Sequence, residues 1–209
     1  FNITSLIQPV LSPDNSFSEI SRLLSQANES IYIQQLYIYP NWTDSQNPLI
    51  PLLIDKANQG VDVRIILNYN PWYDSTNVLN NQTKRILETK GIKVKYIYTN
   101  WSIFQNVHNK GAIIDNTSVL ISSINWNENS FLNNREIGVI ITHPKISQFY
   151  SSVFLSDWTL TDPFKLNESI NEKSSVQIVE LNANTIYIAA LFTMTFIVVA
   201  RDWRKRSWP

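Results

Sequence analysis

The chemistry of this chain is concentrated between residues 107 and 141, VHNKGAIIDNTSVLISSINWNENSFLNNREIGVII. His108 and Lys110 are two positions apart, so on an extended strand their side chains project to the same side. Ser123 and Asn125 repeat that spacing at the end of the next predicted strand, and Glu136 opens a third. Neighbouring strands lie about 4.8 Å apart, so such strand ends can converge on one oxyanion-sized spot. An imidazole, an ammonium, a hydroxyl and an amide, with a carboxylate behind, suit a phosphoryl group. The ammonium and amide neutralise and hydrogen-bond its charged oxygens. The imidazole attacks, and the carboxylate fixes its tautomer and raises its basicity. Each residue alone has a plainer reading. A lone histidine is commonly structural, a lysine on a strand edge is usually solvated, and Asp115 beside Asn116 makes a turn. The combination carries the argument. His143, ahead of Pro144, stands outside it and reads as structural.

Positioning these groups requires a sheet. Residues 3–11 read as a strand stopped by Ser12-Pro13-Asp14-Asn15. Helical patterns cover 17–28, 48–58 and 77–90, the last two closed by Gly60 and Gly91. β-Branched and aromatic runs at 31–38, 61–68 and 92–98 read as strands between them. Strands 111–115 and 118–124 meet at an Asn116-Thr117 turn. After a short polar stretch come a strand at 136–142 and a helix at 145–157. This order predicts an α/β layered fold with a mixed, mostly parallel sheet.

Composition narrows the function. A 44 % hydrophobic share of 209 residues builds a real core and excludes wholesale disorder. Seventeen basic residues balance seventeen acidic ones, so a strongly basic nucleic-acid coat is not the organising feature. With no cysteine there is no disulfide scaffold, thiolate zinc site or cysteine nucleophile. Two histidines, His108 and His143, are too few for a multi-histidine metal centre. The expectation is an activity with no metal and no cofactor.

The pattern His108, Lys110, Asp115, Ser122, Ser123, Asn125 reads H-x-K-x4-D-x6-S-S-x-N. It closely resembles the signature of the phospholipase D superfamily, with Ser122 where the family usually has glycine. The segment Asn134-Arg135-Glu136-Ile137-Gly138-Val139, the Asp157-Trp158 ending of the last helix, and the runs at 12–16, 48–67 and 91–96 extend the resemblance over about residues 8–158. The resemblance implies hydrolysis or transfer of a phosphodiester through a phosphohistidine, without a metal. His108 would be the catalytic histidine. Lys110, Ser123 and Asn125 would bind phosphate, and Glu136 would orient His108. Asp115 joins the catalytic set as the motif's third letter, although its place at the far end of a strand from His108 suggests a structural role. Phospholipid is the favoured substrate, a metal-independent nuclease is the alternative, and the rival from another class is a non-catalytic half that completes and anchors a two-motif enzyme.

In-line displacement needs a nucleophile and an acid on opposite sides of phosphorus, and one histidine cannot occupy both. Residues 1–161 therefore read as a catalytic half-domain whose second motif copy comes from a missing upstream half, the favoured source since the chain opens on Phe1, or from a homodimer mate. A large exposed apolar surface beside the motif strands is expected. Residues 162–180 read as a polar stalk. Residues 181–200 carry no charge, and four basic residues follow at 201, 204, 205 and 206. Twenty residues at 1.5 Å each give a helix of about 30 Å, one bilayer core. The expectation is a single transmembrane helix, a basic cytoplasmic tail at 201–209, and an outward-facing domain at the cell membrane. Membrane lipid is then a partner, with nucleic acid less favoured. Glycosylation sequons begin at Asn2, Asn28, Asn41, Asn81, Asn100, Asn116 and Asn167. Trp42, Trp72, Trp101 and Trp126 are candidates to line a substrate groove or touch a bilayer, although packing is the plainer role for them.

Overall fold

The computed structural model describes residues 6–98 and 105–159. Its elements run β1 (Leu6–Leu11), α1 (Ser16–Ser25), β2 (Ser30–Gln35), β3 (Asn41–Trp42), β4 (Ser45–Gln46), α2 (Leu49–Asn58), β5 (Asp62–Tyr69), α3 (Asp74–Glu88), β6 (Lys93–Tyr98), β7 (Lys110–Ile114), β8 (Ser118–Ser122), α4 (Glu128–Leu132), β9 (Ile137–Thr142) and α5 (Pro144–Thr159). Seven strands form one sheet in the order β1-β9-β8-β7-β2-β5-β6.

The α/β layering is as the sequence predicts, but the sheet is not mostly parallel. Only β2–β5 and β5–β6 pair in parallel, while β1–β9, β9–β8, β8–β7 and β7–β2 are antiparallel. Connection length decides this. Helices α2 and α3 carry the chain back across the sheet, which parallel pairing requires, whereas the short link from β7 to β8 can only reverse it. Gly60 and Gly91, at φ +91° and +79°, make the turns that release α2 and α3 into their strands.

The strand alternation sorts side chains to two faces. On one, Ile31, Ile33, Ile65, Leu67, Ala112, Ile114, Leu120 and Ile140 pack in one cluster with α1 and α2 through Ile20, Leu24, Ile50 and Leu53, and with Leu87 of α3. On the other, Ile66, Ile113 and Val119 pack against Phe154 of α5, with Tyr32 and Ile141. That helix covers only part of its face. Ile7 pairs with Ile141 and Leu11 with Ile137, so these residues share the α5 side. Ile7 is 60 % exposed and Ile137 67 %, as is Phe149 of α5 at 63 %. A cleft of about 290 Å³ opens nearby, lined by Gln34, Asn109, Gly111, Ile121, Tyr150 and Val153 among others.

Two small elements escape the periodicity argument. The β3–β4 hairpin has two residues per strand. Helix α4 occupies the polar stretch after β8; Asn127 Oδ1 caps it by accepting the Ser130 N–H at 2.9 Å, and Phe131 is fully buried. The same region corrects the groove reading of two tryptophans. Trp126 is fully buried, and Trp42 packs on Phe17 and Phe131 at ring distances of 5.8 and 5.5 Å. Trp72 is 82 % exposed, and Trp101 lies outside the described residues. Asn28, Asn41, Asn81 and Asn116 are exposed; the sequons at Asn2, Asn100 and Asn167 lie outside. Among the described residues no helix is long and apolar enough to cross a membrane. The stalk, the 181–200 span and the basic tail all lie outside the described residues.

Candidate active site

Strand β7 begins at Lys110, so His108 sits in the extended lead-in and not on the strand itself. The two side chains nonetheless meet. Lys110, 5 % exposed, donates from Nζ to the His108 carbonyl at 2.6 Å and lies 3.1 Å from His108 Nδ1. An ammonium can only donate, so Nδ1 presents its lone pair and the neutral imidazole carries its proton on the other nitrogen, Nε2. Burial pushes the Lys110 pKa down, and the charge of Glu136 partly opposes this. No described carboxylate lies within ion-pair distance of Lys110. Its charge is therefore available to an incoming anion.

Strand β8 runs beside β7 with Ser122 opposite Lys110. Ser122 Oγ donates to the Lys110 carbonyl at 2.9 Å and accepts the Ile124 N–H at 3.3 Å. The strand ends at Ser122, so Ser123 and Asn125 lie just past it. Ser123 Oγ donates to Glu136 Oε2 at 2.5 Å and accepts the Ile137 N–H at 3.1 Å. Asn134 Nδ2 donates to the other Glu136 oxygen at 3.1 Å. No hydrogen bond joins Glu136 to His108 among the described residues. Both Glu136 oxygens are engaged by Ser123 and Asn134, and His108 Nδ1 already faces Lys110. Asn125 Oδ1 is buried with no hydrogen-bond partner.

Asp115 does not belong to this group. It stands beyond the opposite end of β7, at φ 52°, where its carboxylate accepts the backbone N–H groups of Asn28, Glu29 and Ser30 at 2.8, 2.9 and 2.8 Å. It fastens the entry of β2 to the β7–β8 turn. His143 lies at that same end, its N–H bonded to the Thr117 carbonyl at 2.9 Å.

One residue that the sequence reading missed fixes the approach to His108. Asn68, 1 % exposed near the end of β5, accepts the Val107 N–H at 2.8 Å. Its signal was an amide at the carboxyl end of an otherwise apolar parallel strand, where α/β sheets gather their functional groups. Tyr37 is a second. Its phenol pKa is raised by burial, by Tyr39 and by the Glu136 charge, so it borders the site. Among the described residues no group of three His, Asp or Glu side chains could hold a metal ion.

Residues 20–158 match the family described as cardiolipin synthase, PLD-like domain. Among solved structures, the chain is similar to Nuc, a phospholipase D family member from Salmonella typhimurium, with a TM-score of 0.62 and 21 % identity over 74 % of this chain and 95 % of that one. NucT from Helicobacter pylori gives a TM-score of 0.60 and 22 % identity, over 73 % and 95 % of the two chains. Polyphosphate kinase from Porphyromonas gingivalis gives 0.57 and 16 %, over 75 % of this chain and 24 % of that one. At these identities the likeness shows a shared fold. No curated protein sequence matches the chain.

Proposed function

The chain belongs to the phospholipase D-like family, and from that premise we propose that it cleaves or transfers a phosphodiester, a phospholipid in preference to a nucleic acid, through a phosphohistidine on His108. The observation that carries the reading is the meeting of the buried Lys110 ammonium with His108. A buried cation without a carboxylate partner lacks the counter-charge that a phosphodiester would supply.

The chemistry follows from the hydrogen bonds. An arriving phosphodiester draws the Lys110 ammonium from Nδ1 onto its own oxygens. Nδ1 can then hold the imidazole proton, and Nε2 presents the lone pair that attacks phosphorus. The N–P bond forms as the bond to the leaving oxygen breaks, and that oxygen takes a proton from an acid on the far side. Water or an acceptor alcohol then attacks the phosphohistidine and returns the imidazole free. Lys110 and Asn125 hold the charged oxygens throughout.

The far-side acid comes from a second motif copy, in an upstream half or an identical chain. The apolar α5 side of the sheet, with Ile137 and Phe149 exposed, supports such pairing. The uncharged run at 181–200 supports tethering at the membrane with the catalytic half outside, and this proximity favours a lipid substrate. Detergent-solubilised full chain, alone and mixed with a candidate upstream half, is incubated with a chromogenic phosphodiester, radiolabelled phospholipid and single-stranded DNA. Acid-labile, base-stable label on His108 with phospholipid is expected. Preferential DNA cleavage would move the assignment to a nuclease, and no turnover of any phosphodiester would leave a non-catalytic half. Protease added to right-side-out vesicles should remove the domain, and protection of the whole chain would reverse the orientation.

A further inference from the structure

Asn109 lies between His108 and Lys110. Successive residues of an extended chain point to opposite sides, so its side chain turns away from theirs and under the sheet. There Asn109 Nδ2 donates to Gln34 Oε1. Gln34, 7 % exposed near the end of β2, donates from Nε2 to Asp157 Oδ2 at 2.6 Å. A carboxylate only accepts, so Asp157 decides which end of the Gln34 amide faces it and turns the oxygen toward Asn109. The three side chains form a train of one polarity, from the last turn of α5 across β2 to the chain beside the nucleophile.

Asp157 is itself well placed to act as an anchor. Its neighbour Trp158 stacks on Phe154 at 5.8 Å, with Arg64 5.7 Å and Lys95 5.0 Å from its ring centre. Lys95 also donates to the Trp158 carbonyl at 2.7 Å, which ties the end of α5 to β6. Meanwhile Asn68 holds the Val107 N–H. Residues 107 and 109 are thus pinned on either side of His108.

We propose that Asp157 and Gln34 are positioning residues for the His108–Lys110 pair. They touch neither substrate nor the reacting atoms. By holding Asn109 under the sheet they force His108 and Lys110 to the working side and keep Nζ in register with Nδ1. Asp157-Trp158 thereby gains a role at the site, and α5 becomes part of the catalytic frame. The role in turnover rests on the reading of His108 as nucleophile; the positioning itself does not.

The test uses full-length protein labelled with ¹⁵N-histidine. With two histidines in the chain, a His143→Gln variant assigns the His108 signals. The variants are Gln34→Met, Asp157→Asn and both together, with Lys110→Met as the reference in which the Lys110–Nδ1 bond is lost. The His108 Nδ1 resonance should move in each variant toward its position in Lys110→Met. On a chromogenic phosphodiester, kcat should fall about tenfold with KM little changed, and Asp157→Asn should add nothing once Gln34→Met is present. Asp157→Glu should recover part of the rate. A folded Asp157→Asn protein with an unmoved Nδ1 signal would overturn the proposal, even if Gln34→Met fails to fold. If the wild type turns over no phosphodiester, the functional reading fails while the Nδ1 signal still decides the positioning.

Discussion

Gly138 of β9 stands directly opposite Ser122 of β8, and a Cβ on Gly138 would lie 2.7 Å from the Ser122 Cβ. Where the phospholipase D family usually has glycine, this chain carries a serine, and the room for its side chain is on the facing strand. Gly138→Ala should therefore destabilise the domain by about 2 kcal/mol through overpacking. In a Ser122→Gly background the same change should cost much less, although the Ile121 carbonyl at 3.2 Å keeps part of the penalty. Urea denaturation of the four proteins measures the coupling, and strict additivity would show that the two side chains do not compete for this space.

His108→Ala should abolish turnover with the circular dichroism spectrum unchanged, because His108 is exposed and supports no core contact. Asn125→Ala should lose about 3 kcal/mol of transition-state stabilisation, a rate loss of at least a hundredfold. His143→Ala should leave the rate as it is, since His143 lies at the other end of the sheet beside Thr117. Steady-state kinetics on a chromogenic phosphodiester decide all three.

Asp115→Ala should act on stability and not on chemistry. It deprives three backbone N–H groups of their acceptor, and a loss of about 3 kcal/mol is expected from bonds to a charged acceptor. Thermal unfolding should register the change. A kcat that collapses in a protein of normal melting temperature would return Asp115 to the catalytic set.

Lys110 links pH to both stability and rate. Burial lowers its pKa below the ordinary 10.5, so between the folded and unfolded pKa values the unfolded chain binds more protons than the native one. Stability contributed by this residue therefore rises as pH climbs through the folded pKa, and at neutral pH its charge is a burden on the fold. The rate moves the other way, because the phosphate needs the ammonium. An alkaline limb in kcat/KM with a midpoint below 10.5 is expected. Lys110→Met should melt higher than wild type while losing activity, and a lower melting temperature would contradict the unpaired buried charge.

Ile137→Asp and Phe149→Asp place charges on the exposed apolar α5 side. Both should leave the fold and melting temperature nearly unchanged while weakening association with the second half. Sedimentation and activity against concentration report this. A monomer of full activity at every concentration would remove the two-site requirement.

One pair of the site was legible from residue spacing. His108 and Lys110 are separated by two positions, an extended chain puts such a pair on one side, and their side chains meet. The strands and crossover helices were legible for the same reason, since β-branched runs and helical spacing are local signals. Helix α3 nevertheless starts three residues before its predicted start, because its opening turn is held by Asn77 bonding back to Asn70. No periodicity encodes that contact.

The partners of each polar group were a different matter. Glu136 looked like the carboxylate behind His108, yet it spends its oxygens on Ser123 and Asn134. Asp115 looked like a member of the motif, yet it clamps the backbone of residues 28–30. Gln34 and Asp157, 123 positions apart, meet only because β2 lies beside β7 under the end of α5. The sequence by itself determined which chemical groups exist and, by short-range geometry, which side of a strand each one faces. The tertiary structure alone decided which donor meets which acceptor, because a hydrogen bond is settled by distances of a few tenths of an ångström, and those are set by how sheet and helices pack together.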